Sequence, residues 1–362
     1  MVLLRTEYYG EDSRAASPLG GIAMKKITKA LTAMLLLSVM LSGCKQVESE
    51  NPNDQQTQTE SSPKQTEELP TPSDQFDYCL SDSKTAIWIS GYHGTSDRVI
   101  IPSEIDNLPV VTILRNAFTD KGLRSVTFPN TIRVIKSYAF SNNPKLTQIQ
   151  FGEQSQLELI DPCAFANCTA LSKVDLSETK LDTIENGAFL NCSGLTEIIF
   201  CDTITRIGRA AFSGCSSLKT VDLPKELLTI DREAFANCSA LETVTIPTKL
   251  RLDGLDGIPF SKNPALKKII FADGRETLDG YAFFFIESNA EVVIPASVKT
   301  FGPGTFFVKG KITFRFLGDC PTQTEGISSE FHGTPTILYD PTTKGWEDCV
   351  WKDQYTVKPN QS

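Results

Sequence analysis

The sequence predicts an α/β-type repeat solenoid, a rod of about nine to ten coils of about 23 residues with parallel stacked strands and a cap at each end. Three features support this prediction: a phenylalanine that recurs every 22 to 25 residues, an apolar residue five positions before it, and an alternating apolar stretch after it. The recurring phenylalanines are Phe118, Phe140, Phe165, Phe189, Phe212, Phe235, Phe260, Phe283, Phe306 and Phe331. Self-similarity at such a period is typical of units that stack side by side.

Within one coil, the sequence predicts a buried turn followed by a strand. Ile207 stands five residues before Phe212, and Ala211 directly precedes it, where a larger side chain would collide with the adjacent coil. Leu218 follows Phe212 by six residues, and the alternation over Val221–Pro224 then predicts a strand. Because one coil cannot bury its own apolar stripe, we expect neighbouring coils to cover it, with successive strands about 4.8 Å apart.

The position three residues past the phenylalanine explains four of the ten cysteines. Its occupants are Asn143, Cys168, Cys192, Cys215, Cys238 and Asn263. Both residue types can donate a hydrogen bond to a backbone carbonyl of a neighbouring coil, and a free cysteine is also a small apolar side chain. We therefore expect a ladder of buried thiols. The alternative is a set of disulfides, which an oxidising compartment permits but parallel side chains suit poorly.

Composition restricts the functions open to this chain. The formal net charge is −9, from 35 basic and 44 acidic residues, which argues against nucleic-acid binding because that requires a basic face. The chain has two histidines, and it contains no nucleophile-elbow motif, metal-ligand cluster or phosphate-binding glycine loop. We therefore expect a protein that is not an enzyme and that uses no catalytic residue, metal or cofactor.

The first 43 residues have the pattern of a secretory signal peptide. A basic stretch, Met24–Lys29, precedes an apolar run, Ala30–Leu41, that is too short to span a bilayer, which takes about 20 residues. Acidic residues upstream of Met24 are unusual for a secretion leader, so we expect the true start to be Met24. The ending Leu41, Ser42, Gly43 and Cys44 resembles the lipobox of bacterial lipoproteins. That resemblance implies cleavage before Cys44 and acylation of its thiol; the alternative is a plain signal peptide with a chance cysteine.

Residues 44–74 follow as a predicted lipidated N-terminus and disordered tether. The segment after Cys44 contains no aromatic residue and is dominated by Gln, Thr, Ser, Glu and Pro. It cannot bury enough apolar surface to offset the entropy of ordering. We expect it to hold the repeats away from a membrane by about 30 Å, with acyl chains as the anchor.

The repeat unit IxxIxxxAFxxCxxLxxVxLP resembles the leucine-rich repeat of BspA-like bacterial surface proteins. Segments before the first repeat, within 86–113, resemble the strand-rich opening of such proteins, and 339–346 resembles their closing segment. The resemblance implies a cap over 75–110, a leucine-rich repeat solenoid over 111–318, and a C-terminal coil, cap and tail over 319–362. Apart from the resemblance, Cys320 and Cys349 fall outside the ladder register; one interpretation is a bridge between them that clips the C-terminal cap, and the alternative is two unbridged cysteines.

The resemblance also implies a surface that binds proteins, such as host matrix proteins or proteins of other cells. Along each predicted strand, alternate residues point to solvent, and most of these residues are polar. Candidate partner-binding residues are the apolar exceptions Ile199, Ile270 and Val293, with Phe284, Phe285 and Phe307 beside core positions. The alternative interpretation is cap packing and ordinary scattered apolar residues.

The function expected from these features is that of a surface-anchored lipoprotein whose repeats bind protein partners, in adhesion or in host and cell interaction. Its location would be the cell surface or the outer envelope, held by lipid. The alternative function is that of a structural spacer in the envelope without a specific ligand.

Overall fold

The computed structural model describes residues 69–251, 259–278, 289–301, 311–323, 335–353 and 355–360. Over these residues the chain forms stacked coils of short parallel strands, which confirms the predicted solenoid. The helices of the described part are two short 3₁₀ segments, Ser73–Gln75 and Val350–Asp353. The Ala-Phe pairs of the described coils lie in turns.

Most of the strands form two rows along the rod. The first row consists of β3 (Arg98–Ile100), β6 (Ser125–Phe128), β8 (Gln148–Phe151), β10 (Lys173–Asp175), β12 (Glu197–Ile199), β14 (Thr220–Asp222), β16 (Thr243–Ile246), β17 (Lys268–Phe271), β19 (Glu291–Ile294), β21 (Thr313–Phe316), β23 (Thr336–Tyr339) and β24 (Thr356–Pro359). Pairing within it is parallel, with residues of successive coils in register; Val244, for example, lies beside Val221 and Ile269.

The second row is made of shorter strands that close each coil. It consists of β5 (Leu108–Ile113), β7 (Val134–Ile135), β9 (Leu159–Ile160), β11 (Thr183–Ile184), β13 (Arg206–Ile207), β15 (Thr229–Ile230), β18 (Thr277–Leu278), β20 (Thr300–Phe301) and β22 (Thr322–Gln323). In β7 to β20, the second residue of each strand is buried. These are the apolar residues that the sequence places five positions before each phenylalanine.

At the N-terminal end, the strand direction changes. β1 (Phe76–Leu80) pairs with β2 (Ile87–Tyr92) in antiparallel fashion, and β2 then pairs with β5 in parallel. A two-residue strand, β4 (Glu104–Ile105), pairs with the start of β5. Phe76 and Tyr92 are buried against Phe118, so the ring of the first coil is covered from this side.

The recurring phenylalanines from Phe118 to Phe260 form a continuous stack inside the rod. Seven of them, Phe118, Phe140, Phe165, Phe189, Phe212, Phe235 and Phe260, stack with ring centroids 4.7 to 5.5 Å apart and planes within 12° of parallel. Each of these rings is at most 3% exposed. The spacing follows the strand separation, because each ring belongs to one coil and packs on the next.

The cysteine ladder is confirmed. Cys168, Cys192 and Cys238 each donate an S–H···O bond of 3.3 Å to the carbonyl of the preceding coil's phenylalanine. Cys215 makes the same bond at 3.6 Å. Asn143 occupies the equivalent site with its Nδ2 2.8 Å from the Phe118 carbonyl. All four thiols are free, and the disulfide alternative is therefore wrong for these positions.

An asparagine ladder beside the thiols was not anticipated from the sequence. Asn142, Asn167, Asn191 and Asn237, two residues past the phenylalanine, adopt φ values of 56 to 62°. Asn191 Nδ2 donates to Asn167 Oδ1 at 3.0 Å, and Asn167 Nδ2 donates to Asn142 Oδ1 at 2.8 Å. Asparagine tolerates this left-handed conformation, which turns the chain after each ring. Where the ladder is interrupted, Gly214 adopts φ +79°, and a Cβ there would lie 2.5 Å from Asn191 Oδ1.

We expect Phe212→Ala to lower the free energy of unfolding by about 3–5 kcal/mol, because the substitution leaves a cavity between two neighbouring rings. Urea denaturation of the chain from residue 45 onward, monitored by circular dichroism, measures this change. Leu228→Ala is the matched control, since Leu228 is 38% exposed and its truncation should cost under about 1 kcal/mol. Equal midpoints for the two variants would contradict the stacked core.

Candidate interaction surface

The outward side chains of the first row form a surface that runs over three successive parallel sheets, here called the outer face. One column of it consists of Ser125, Gln148, Lys173, Glu197, Thr220, Thr243, Lys268, Glu291, Thr313 and Thr336. A second column consists of Thr127, Gln150, Asp175, Ile199, Asp222, Thr245, Ile270, Val293, Arg315 and Leu338. Every member except Val293 is exposed or half-buried, whereas the residue between the two columns is buried in all but one of these strands. The outer face is therefore defined by the period of two along each strand.

The middle of the outer face carries charge. Lys173 Nζ lies 3.2 Å from a carboxylate oxygen of Glu197 and 3.6 Å from one of Asp175. The hydrogen bond to Glu197 raises the pKa of Lys173. Partial burial favours a higher pKa for Asp175, but hydrogen bonds from Ser177 and the charge of Lys173 bring that pKa below its ordinary value. Such exposed pairs contribute little to stability, but they keep the surface ionised at neutral pH.

The C-terminal part of the outer face is more apolar. The second column runs through Ile270, Val293, Arg315 and Leu338, which are paired residues of adjacent strands. Paired side chains on one face of adjacent strands are neighbours. Three of these four positions hold aliphatic side chains, whereas the equivalent positions of the first coils hold Thr127 and Gln150.

The expectation that Val293 points freely into solvent is wrong, because its residue is 7% exposed. Val293 lies between two paired neighbours, Ile270 on one adjacent strand and Arg315 on the other. The Arg315 guanidinium reaches back to the carboxylate of Glu291 on the strand that carries Val293. This crossing leaves Val293 little contact with water, and Val293 belongs to the packed part of the face rather than to its accessible part.

Two of the other predicted binding residues lie on the outer face. Ile199 and Ile270 are both half-buried members of the outer face. Phe284, Phe285 and Phe307 lie outside the described residues, as do Cys44 and the three residues before it. Leu338 and Arg315 were not among the predicted residues, although the alternation in β21 and β23 carries the same signal that identified Ile270.

Burial keeps the four thiols of the ladder protonated. Burial raises the pKa of Cys168 and of Cys238 to about 12, and it raises those of Cys192 and Cys215 well above their ordinary value. Thiolates are the nucleophilic and metal-binding form of cysteine, so the ladder offers neither property at neutral pH. Across the described ranges, no three His, Cys, Asp or Glu side chains are grouped so that they could hold a metal ion.

The one histidine within the described residues supports the N-terminal end. His93 Nε2 lies 2.8 Å from the carbonyl oxygen of Asp74, and its Nδ1 lies 3.8 Å from a carboxylate oxygen of Asp77. These contacts join the segment before β1 to the residue after β2. His332 lies outside the described residues.

The sequence profile of the BspA type leucine rich repeat region matches residues 100–219 and 182–313, with six copies of the repeat. These matches cover more than half of the chain, and the protein belongs to the BspA-type leucine-rich repeat family. Leucine-rich repeats generally mediate protein–protein interaction, and proteins of this class are typically non-enzymatic scaffolds.

Solved structures of similar proteins come from several bacteria. A leucine-rich repeat protein of T. pallidum is 25% identical, with a TM-score of 0.38 over 66% of this chain and 88% of its own. A leucine rich cell surface protein of Faecalibacterium prausnitzii is 18% identical, with a TM-score of 0.41 over 82% and 96%. The pneumococcal vaccine antigen PcpA is 17% identical, with a TM-score of 0.39 over 81% and 98%.

A short similarity also exists to a curated animal protein. The lutropin-choriogonadotropic hormone receptor of Bos taurus is 38% identical over 79 residues, which is 21% of this chain and 11% of the receptor. The chain therefore spans about a tenth of that relative's length. None of the helices in the described ranges has the length and hydrophobicity needed to cross a membrane.

We expect Val293→Lys to lower the free energy of unfolding by about 2 kcal/mol or more, because it places an ammonium group at a position that is 7% exposed. Ile270→Lys is the matched control, because Ile270 is half-buried and a lysine stem can lie along Val293 while its charge reaches water. Thermal denaturation of both variants measures the difference. A melting temperature for Val293→Lys equal to that of Ile270→Lys would contradict the packed position of Val293.

Proposed function

We propose that this protein is a bacterial surface lipoprotein, anchored through Cys44, whose outer face binds a protein partner in adhesion or in host and cell interaction. The observation that carries the binding part is the C-terminal half of the outer face, where Ile270 and Leu338 remain partly exposed beside Arg315. Aliphatic groups and an arginine on a rigid sheet are the combination from which protein interfaces draw much of their binding energy.

Rigidity supports this assignment. The strands that carry the outer face are joined in register over successive coils, and their inward side chains are locked in the core. A partner therefore meets a surface whose backbone is already ordered, and binding does not have to order it. The long row also offers many adjacent side chains, which suits a macromolecule better than a small ligand.

The anchoring part of the proposal rests on the leader and the lipobox-like ending at Cys44. Two or more acyl chains hold a protein stably on a membrane, whereas one chain binds marginally. A tether of polar residues between Cys44 and the first strand would let the outer face reach partners beyond the membrane surface. The lipid and the repeats thus have separate tasks, which are retention and recognition.

Substitution on the outer face tests the binding role. Beads that carry the soluble chain from residue 45 onward would be counted on immobilised host extracellular matrix and on layers of other bacterial cells. We expect Ile270→Lys to reduce the number of bound beads by about tenfold or more, because it places a hydrated charge in the apolar patch. Leu228→Lys is the control, because Leu228 is 38% exposed but precedes a strand of the second row.

Two results of this experiment would count against the proposal. Equal loss for Ile270→Lys and Leu228→Lys would show that the outer face has no special part in binding. A wild-type protein that binds neither matrix nor cells, while remaining folded by circular dichroism, would favour the spacer function instead.

Protease treatment of intact cells tests display and anchoring. We expect the repeats of the wild-type protein to be digested from outside, because acyl chains on Cys44 hold them at the surface. We expect Cys44→Ala to be released into the medium or periplasm, since the acylated thiol is lost. Immunoblots of cells and of the soluble fraction measure both results. Repeats that resist protease until the envelope is opened would contradict surface display.

A further inference from the structure

The C-terminal end of the rod brings together two cysteines that do not belong to the thiol ladder. Cys320 follows β21 and is half-buried, and Cys349 is buried immediately before the second 3₁₀ helix. Although 29 positions separate them in sequence, the two thiols are close enough that an interaction between them shifts the pKa of each, and Cys320 Sγ also lies 3.9 Å from the Pro321 carbonyl oxygen. The ladder thiols are arranged differently, because each donates to a backbone carbonyl of the preceding coil.

A well-packed turn holds Cys320 in place. The Cys320 backbone N–H donates to the Lys344 carbonyl at 2.8 Å, and the Lys344 N–H donates to Asp319 Oδ1 at 2.8 Å. Gly345 packs so closely that a Cβ there would lie 3.3 Å from Cys320 Cβ. Trp346 Nε1 donates to the Gly318 carbonyl at 3.2 Å, so the segment leading to Cys349 is fastened beside the segment that carries Cys320.

Aromatic packing holds the second cysteine. Trp346 and Trp351, on either side of Cys349, are 1% and 4% exposed. Their rings pack against Phe316 at centroid distances of 5.1 and 5.7 Å. Both thiols are thus held by the same part of the rod, where Phe316, Gly318 and Trp346 fasten their two segments together.

The local chemistry favours reaction of this pair over the ladder. The interaction with Cys320 lowers the pKa of Cys349 to about 7, assisted by the Trp351 backbone and the Lys352 charge. The same interaction raises the pKa of Cys320, which keeps its proton while Cys349 is a thiolate. A thiolate is the form that attacks a disulfide, so the pair can react at neutral pH whereas the ladder cannot.

We propose that Cys320 and Cys349 form an intramolecular disulfide that locks the C-terminal end of the rod onto its last coils. The oxidant is a small-molecule disulfide, for example oxidised glutathione. One thiolate of the pair attacks oxidised glutathione, which forms a mixed disulfide and releases one reduced glutathione. The other cysteine then attacks the mixed disulfide, which forms the Cys320–Cys349 bond and releases the second reduced glutathione. The pair loses two electrons and two protons, and one oxidised glutathione becomes two reduced molecules.

The test uses the wild-type soluble chain in mixtures of oxidised and reduced glutathione. The protein is then denatured, its remaining thiols are alkylated, and its tryptic peptides are weighed by mass spectrometry. Cys320 lies in peptide 316–344 and Cys349 in peptide 345–352, so the disulfide is detected as a joined pair. Cys79, an exposed thiol in peptide 65–84, is the internal reference. It reacts with oxidised glutathione to form a mixed disulfide with one glutathione and has no second step that closes a bridge.

With the concentration of reduced glutathione held constant in all mixtures, we expect the joined pair to be half-formed at a concentration of oxidised glutathione about tenfold or more below that which half-modifies Cys79, because the second step is intramolecular. Cys192 and Cys215, neighbours in the ladder, should remain alkylated as separate peptides. Alkylation of Cys320 and Cys349 under conditions that modify Cys79 would overturn the proposal, and so would mixed disulfides at both sites. The outcome is independent of the proposed lipid anchor and of any partner.

Discussion

Each coil from Phe118 to Phe260 depends on its neighbours to cover one phenylalanine ring. Rings 4.7 to 5.5 Å apart are within van der Waals reach only because the strands stack at the same period. No single coil has a second layer against which to bury that ring, so stability is shared between neighbours along the rod. The ends must therefore be closed differently, by Phe76 and Tyr92 at one end and by Trp346 and Trp351 at the other.

The stack also explains why one position alternates between cysteine and asparagine. The turn that carries each ring leaves a phenylalanine carbonyl in the interior, and an unpaired buried carbonyl would be costly. Asn143 satisfies it with an amide N–H and Cys192 with an S–H. The cysteines of this ladder are thus polar partners of the backbone that pack like small apolar residues, and their raised pKa follows from the same burial.

Because the inward residues are committed to the stack, the outer face is where the chain can vary without losing its fold. In the first coils it carries hydroxyl and amide groups, in the middle charges such as Lys173 and Glu197, and towards the C-terminus aliphatic groups beside Arg315. A gradient of this kind on a rigid scaffold is suited to recognition of a protein surface. The Cys320–Cys349 pair lies close to that aliphatic region in sequence, and a disulfide there would tie the segment after β21 to the segment before β24.

The sequence by itself determined the repeat, its period, the buried phenylalanines and the thiol ladder. These features recur from coil to coil, so that each is supported several times by the spacing of Phe212, Cys215 and their equivalents. It also identified which strand residues alternate outwards, but not which of those are accessible. Only the tertiary structure decided that Val293 is covered, because the covering arginine comes from the next coil and its direction depends on Glu291. The contact between Cys320 and Cys349 likewise required the tertiary structure, since the packing of Trp346 and Trp351 at the end of the rod has no counterpart in the repeat.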